Sequence, residues 1–234
     1  MRQVILDTET TGLDYRSGDR VIEIGCVEMV GRKLTGRRFH RYINPQRDID
    51  AGAQEVHGLT REFLADKPLF SAIADELEEF IAGTELIIHN ASFDVGFLDH
   101  ELGLLGRESI GKLCAGILDT LRMARELRPG KRNSLDALCS EYGVNNSGRH
   151  LHGALLDAEL LAEVYLAMTR GQDSLIMDID SSPTRILEFG VSGDHPAPKV
   201  IRATAAELAD HARVMGEIGK ESGGKCLWEA EKSA

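Results

Sequence analysis

Val4-Ile5-Leu6-Asp7-Thr8-Glu9-Thr10-Thr11-Gly12 is the stretch on which the reading of this chain turns. Three apolar residues suit a buried strand. Asp7 and Glu9 follow at i and i+2, so on a strand they leave from the same face. Two carboxylates side by side at the end of a buried strand repel each other and resist losing water. A hard divalent cation with oxygen ligands relieves both problems. Taken alone, an Asp-x-Glu pair equally describes a strand running into a polar turn, so the rest of the chain must decide.

Two further acidic positions sit in matching contexts. Leu86-Ile87-Ile88 reads as a short buried strand leading into His89-Asn90-Ala91-Ser92-Phe93-Asp94 and a helix through about Leu105. Ser92 is the expected N-cap. Asp94 then lies in the first turn, where the helix dipole favours it; by itself it needs no other role. Further on, Ala154 to Met168 is a helix apolar almost all round and therefore buried. Asp157 in that helix is costly unless paired or metal-bound, and its own helix offers no basic partner. His152 precedes the helix behind Gly153, on a loop from which it can swing toward the same site.

Between these stretches the chain is ordinary. Val21 to Val30 reads as a second strand, Gly31 to Gly36 as a turn and Arg37 to Ile43 as a third strand, an antiparallel meander. Arg37, Arg38 and Arg41 suit either phosphate contacts or a solvated basic edge. A short helical turn from Ala51 delivers Val56-His57-Gly58 to a loop. Phe70, Ile73, Leu77, Phe80 and Ile81 recur at helical spacing, and Gly83 stops that helix. Ile117-Leu118-Asp119 is a strand before a helix over Thr120 to Leu127. A basic loop, Arg128 to Arg132, leads to a helix over Leu135 to Tyr142 capped by Asn133 or Ser134. Asn145 to Arg149 is a polar loop.

The character changes after residue 171. Ser181-Ser182-Pro183, Ser192-Gly193-Asp194 and Pro196-Ala197-Pro198 mark a turn-rich flexible linker over 172–199. Thr204-Ala205-Ala206-Glu207 is a capping box. It opens a helix with Leu208, Ala212, Met215 and Ile218 on one stripe, and Cys226-Leu227-Trp228 follows. This single Trp lies in a tail too short to bury it and reads as a partner-docking anchor; packing back on its own domain is the alternative.

Composition narrows the class. With 234 residues, 42% hydrophobic and 28% charged, the chain has material for a sizeable core. No apolar run reaches membrane-spanning length, and Met1-Arg2-Gln3 enters directly into a strand, so a cytoplasmic protein without a signal peptide is expected. Cys26, Cys114, Cys139 and Cys226 are scattered, neither a disulfide frame nor a zinc pattern. The net charge of −11 argues against broad electrostatic binding to nucleic acid. It leaves room for a small site where bound cations supply the positive charge.

Four carboxylates and one imidazole, on elements able to converge around a mixed sheet, fit a phosphoryl-transfer site holding two divalent ions about 3.5–4 Å apart. Carboxylate oxygens suit Mg²⁺ or Mn²⁺. His152, as an imidazole, is suited to take a proton from an attacking water. Asp7-Thr8-Glu9-Thr10-Thr11-Gly12, His89 through Asp94 and His152 through Asp157 resemble, in order, the three motifs of the DEDDh 3′–5′ exonucleases. The likeness covers roughly residues 1–170. Val56-His57-Gly58-Leu59-Thr60 and the Gly223-Gly224-Lys225-Cys226-Leu227-Trp228 tail look most like the family's proofreading members, the exonuclease subunits of bacterial replicative DNA polymerases.

That resemblance implies an α/β, ribonuclease-H-like fold: a mixed sheet flanked by helices in an exonuclease domain (1–171), then the linker and a C-terminal partner-binding helix (200–234). It implies Asp7, Glu9, Asp94 and Asp157 as metal ligands, His152 as general base, and Thr10, Val56 and His57 as contacts to the terminal nucleotide. The implied partners are a DNA 3′ terminus, the polymerase subunit through residues 200–234, a sliding clamp through Gln172-Asp173-Ser174-Leu175-Ile176-Met177 and a small accessory subunit. An ordinary linker start is the other reading of Gln172–Met177. An RNA-trimming exoribonuclease and a structural subunit with vestigial activity are the competing functions.

Overall fold

The structure, a computed structural model, describes residues 1–149, 151–170 and 202–223. Five strands form one mixed sheet: β1 (Arg2–Thr10), β2 (Val21–Val30), β3 (Lys33–Tyr42), β4 (Glu85–Ile88) and β5 (Gly116–Asp119). Their order across the sheet is β3-β2-β1-β4-β5. β1 runs antiparallel to β2 and parallel to β4, and β4 runs parallel to β5. β1 is therefore central, which is why Val4, Ile5 and Leu6 are apolar without alternation: both faces are covered.

The pleat sorts β1 into two layers. Val4 and Leu6 face a cluster that includes Phe70, Ile73 and Leu77 of α3 (Phe70–Ile81) and Phe97, Leu98 and Leu102 of α4 (Ala91–Leu104). Those helices follow α1 (Ala51–His57) and α2 (Arg61–Leu64) in the chain. Ile5 faces the opposite layer with Ala158, Leu161, Ala162 and Tyr165 of α8 (Ala154–Met168). Between α4 and α8 come α5 (Ile110–Leu113), α6 (Thr120–Leu127) and α7 (Leu135–Tyr142). Ala124, Leu138, Cys139, Leu160, Val164 and Met168 form a third cluster where α6, α7 and α8 meet. By the two-residue period, Asp7 and Glu9 lie on the Ile5 face, toward α8, and Thr8 lies on the Leu6 face, toward α4.

α8 is buried almost all round, as its composition predicts. Two boundaries differ from the sequence reading. The third strand begins at Lys33, because Gly31 and Arg32 both take positive φ (56° and 63°), the combination that closes a two-residue hairpin. Gly36 (φ 85°), read as part of that turn, instead sits within β3 where its pairing with β2 shifts register. The helix after β4 is capped by Asn90, not Ser92. Only His89 and Asn90 join strand to helix, and the tight corner places Asn90 in the left-handed region (φ 66°, ψ 51°), which asparagine tolerates.

Met1 and all five strands belong to one compact unit, and α9 (Ala205–Glu221) belongs to a second. α9 opens with the expected capping box: Thr204 Oγ1 accepts from the Glu207 N–H (3.3 Å), and Glu207 Oε2 accepts from the Thr204 N–H (2.7 Å). None of its residues is buried, and Leu208 and Ile218 are exposed. Gln172–Met177, the whole 172–199 linker, and Trp228 lie outside the described residues. Among the described residues no helix is long and apolar enough to cross a membrane.

Candidate active site

The carboxyl ends of β1, β4 and β5 point to one edge of the sheet, where open parallel sheets present ligand sites. Asp7 and Glu9 leave β1 there. Asp94 comes from the first turn of α4 just after β4, and Asp157 from the first turn of α8. All four, with His152, line a single cavity of about 640 Å³. Asp94 is held by Thr8, whose Oγ1 donates to its Oδ1 at 2.7 Å. Thr8 thus uses the face of β1 opposite to Asp7 and Glu9 to aim a carboxylate from the other layer into the site.

The carboxyls crowd one another, and their acidities show it. Burial, then the neighbouring Asp94, Glu9 and Asp157 charges, pushes Asp7 well above the usual range. Burial, then the Asp157 and Glu23 charges, raises Glu9 to about 8, with Arg149 opposing. Burial raises Asp94 to about 7 against the hydrogen bond from Thr8. Glu9, His152 and Asp157 offer ligand atoms all within 4.8 Å of one another. An oxygen-rich, buried, mutually repelling set of this kind fits hard divalent cations.

These shifts set a pH dependence. A carboxyl whose pKa rises on folding favours the folded state while it stays protonated, so its contribution is lost as pH climbs through the raised value. In chelator the melting temperature is expected to fall by about 5–10 °C between pH 5 and 8, a few kcal/mol at about 2–4 °C per kcal/mol. Millimolar Mg²⁺ or Mn²⁺ should abolish the fall; thermal melts in buffers of matched ionic strength check both.

A second cavity, about 480 Å³, adjoins the first and is lined by Thr10, Val56 and His57 together with Glu9, Leu13 and Phe93. The Thr10 hydroxyl donates to the Gly12 carbonyl (2.6 Å), so its oxygen offers acceptor lone pairs only. Val56 is half exposed toward the cavity. His57 ends α1 and is buried, and burial lowers its pKa. Its Nδ1 accepts from the Leu59 N–H at 3.0 Å, which leaves the hydrogen on Nε2. That Nε2 leans toward the Thr10 carbonyl but has no partner of hydrogen-bonding geometry. The His152 N–H donates to the Val56 carbonyl (3.1 Å), so α1 and the His152 loop are tied together.

One residue was not legible as part of the site. Asp157 does have a basic partner, supplied from outside its own helix. Arg149, in the loop before α8, donates through Nε to Asp157 Oδ1 (2.5 Å) and through Nη2 to Asp157 Oδ2. The same guanidinium reaches His152 Nδ1 (2.8 Å) and Asp136 Oδ1 (2.7 Å). A cation three residues before His152, beside a buried acid without a partner, was the available signal.

Comparison with known proteins agrees with this geometry. The Exonuclease family model matches residues 4–165. The DNA polymerase III subunit epsilon of Rickettsia typhi is 58% identical over 223 residues, covering 93% of this chain and 97% of that protein. The subunit of the same name from Escherichia coli K12 is 46% identical over 244 residues, covering 98% of each. Among solved structures, Exonuclease X in complex with 5′ overhanging duplex DNA superposes with a TM-score of 0.57 at 26% identity, covering 73% of this chain and 93% of that one. The nuclease domain of 3′hExo, described as a DEDDh family member bound to rAMP, shares the fold with a TM-score of 0.63 at 16% identity, covering 73% and 92%. The chain belongs to the exonuclease family, and its near full-length identities of 46–58% put it among the DNA polymerase III epsilon subunits.

Proposed function

We propose that this protein is the 3′–5′ proofreading exonuclease subunit of a replicative DNA polymerase III, removing mismatched 3′-terminal nucleotides as nucleoside 5′-monophosphates. The observation that carries the proposal is the convergence of Asp7, Glu9, Asp94, Asp157 and His152 on one cavity, beside a second cavity able to take a nucleoside. Asp7, Glu9, Asp94 and Asp157 would hold two divalent ions, Mg²⁺ or Mn²⁺. Bound there, the ions neutralise the scissile phosphate and stabilise the charge that develops on its oxygens.

The chain's own residues do the rest. His152 takes the proton of the attacking water. The terminal nucleoside enters the cavity lined by Thr10, Val56 and His57. There Val56 and His57 pack against the terminal base or sugar. Selection of a mismatch needs no reading of base edges, because a frayed end enters a single-strand site at lower cost than a paired one.

The rest of the chain suits a tethered enzyme in the cytoplasm. Residues 1–171 act as the exonuclease domain, 172–199 as linker, and 200–234 bind the polymerase (alpha) subunit. The exposed Leu208 and Ile218 of α9 are consistent with such docking. A sliding clamp is contacted through Gln172–Met177, and a small accessory subunit is a further partner. With a net charge of −11 the protein gains its substrate by effective concentration and not by electrostatic attraction.

The test is release of label from the 3′ terminus of paired and mispaired DNA primers, and of matched RNA, with Mg²⁺ and with chelator. Mononucleotides released from DNA only with the ion, faster from mispaired ends and far more slowly from RNA, are expected. Preference for RNA would replace proofreading by RNA trimming.

A further inference from the structure

Arg149 forms more contacts than an ordinary loop arginine. Its side chain is 5% exposed, and it faces both Asp157 oxygens, the His152 Nδ1 and Asp136. A guanidinium can only donate, so the His152 Nδ1 accepts from it and the imidazole hydrogen sits on Nε2. Asp157 Oδ2, 3.3 Å from that Nδ1, receives no hydrogen from it in this arrangement. A single side chain thus engages one of the four carboxylates and fixes the imidazole with its Nε2 protonated, the form in which that nitrogen cannot take a proton.

We propose that Arg149 is a positioning residue that holds Asp157 and His152 in a resting arrangement and is displaced when a divalent ion is ligated by Asp157. The inference rests on the reading that Asp157 is a metal ligand. A guanidinium and a divalent ion on the same carboxylate repel, and the neighbouring acids favour the more highly charged ion. The displaced guanidinium has a place to go. Asp136 lines the same cavity, is more than half exposed, and already accepts from Arg149 Nη1. Asn146 Nδ2 donates to that same oxygen (3.0 Å) and steadies it.

Release has a consequence for the base. Once Nδ1 no longer accepts from Arg149, it can carry the hydrogen and donate to Asp157 Oδ2, leaving Nε2 as the basic nitrogen. The imidazole proton only changes ring nitrogen through solvent, so charge and atoms balance. Ion binding and arming of the base are then one event, and His152 is not a free base before the ion arrives.

Nitrogen NMR of the full chain reads this directly. Titration with Mg²⁺ should move the Arg149 Nε–H signal from slow to fast exchange with water. It should also turn His152 Nδ1 from an acceptor-type to an N–H-type nitrogen. Arg149→Gln should show the released His152 pattern before any ion is added, and should bind Mn²⁺ about tenfold more tightly, the scale of outer-shell effects on metal affinity. An Arg149 Nε–H signal still protected at saturating Mg²⁺ overturns the proposal, and this holds even if the Gln variant does not fold. Asp157→Asn separates the two layers: Mg²⁺ affinity unchanged in that variant removes the metal-ligand reading itself. Lost affinity with an unmoved Arg149 signal in the natural chain removes only the displacement.

Discussion

Asp157→Ala should lower the rate of 3′-terminal hydrolysis by about 10⁴-fold, equivalent to about 5.5 kcal/mol on the barrier. The size follows from what one substitution undoes. Asp157 is buried at 3% exposure, and its carboxylate lies within 4.8 Å of ligand atoms of Glu9 and His152. Without it the ion that neutralises the phosphate loses an anionic ligand, a term worth several kcal/mol in metal-assisted displacement. The imidazole loses the neighbour that sits 3.3 Å from its Nδ1. Arg149 loses the carboxylate that accepts from its Nε and Nη2 and keeps Asp136 as an ion partner, so the rate is to be measured well below the variant's melting temperature. A folded protein with near-normal turnover would remove Asp157 from the proposed site.

Gly25→Ala is expected to cost about 3 kcal/mol, the upper part of the range for forcing a methyl into a packed interior, and to cut activity in the protein that still folds. A Cβ built on Gly25 lies 2.2 Å from the Leu155 nitrogen and 2.3 Å and 2.4 Å from the Ala154 carbon and oxygen. These are backbone atoms of the first turn of α8, not the end of a side chain that can turn away. Gly25 is also the β2 residue paired with Asp7. Here α8 touches the sheet backbone to backbone, which is the use of a glycine inside a strand. A methyl must push Ala154 and Leu155 off the sheet, and Asp157 moves with them, away from Asp7 and Glu9. Gly116→Ala on the edge strand, where a Cβ meets nothing within 4 Å, is the control and should change little. Calorimetry and rates measured well below the melting temperature give the two readouts. A Gly25→Ala protein with unaltered melting and rate would mean that α8 does not rest on β2 as described.

The parts of this architecture that could be read in advance share one property: the signal is local and the physics leaves little choice. Val4-Ile5-Leu6 followed by Asp7 and Glu9 is a buried strand ending in charge, and only a central strand covered on both faces permits it. The apolar circumference of α8 made Asp157 conspicuous in the same way. His57 and Val56, which the family resemblance implied as contacts to the terminal nucleotide, line the neighbouring cavity. What was missed depends on distant partners or on backbone corners. The partner of Asp157 comes from outside its helix, and nothing within α8 announces Arg149. Ser92 has the chemistry of an N-cap, but the two-residue corner between strand and helix gave the position to a left-handed Asn90. Thr35-Gly36 looked like a turn, yet the hairpin closed earlier at Gly31-Arg32, leaving Gly36 within the strand. Gly25 was read only as one residue of the second strand, and it is where a helix end must fit.

The central claim is that Asp7, Glu9, Asp94 and Asp157 together hold the ions on which hydrolysis depends. Counting Mn²⁺ bound by the natural chain and by Asp7→Asn, by calorimetric titration with the free ion followed by electron paramagnetic resonance, tests it most directly. Two ions bound by the natural chain, with one or none retained by the folded Asp7→Asn protein and nucleotide release lost in parallel, is the predicted result. Undiminished binding by Asp7→Asn, or metal-independent nucleotide release by the natural chain, would contradict it.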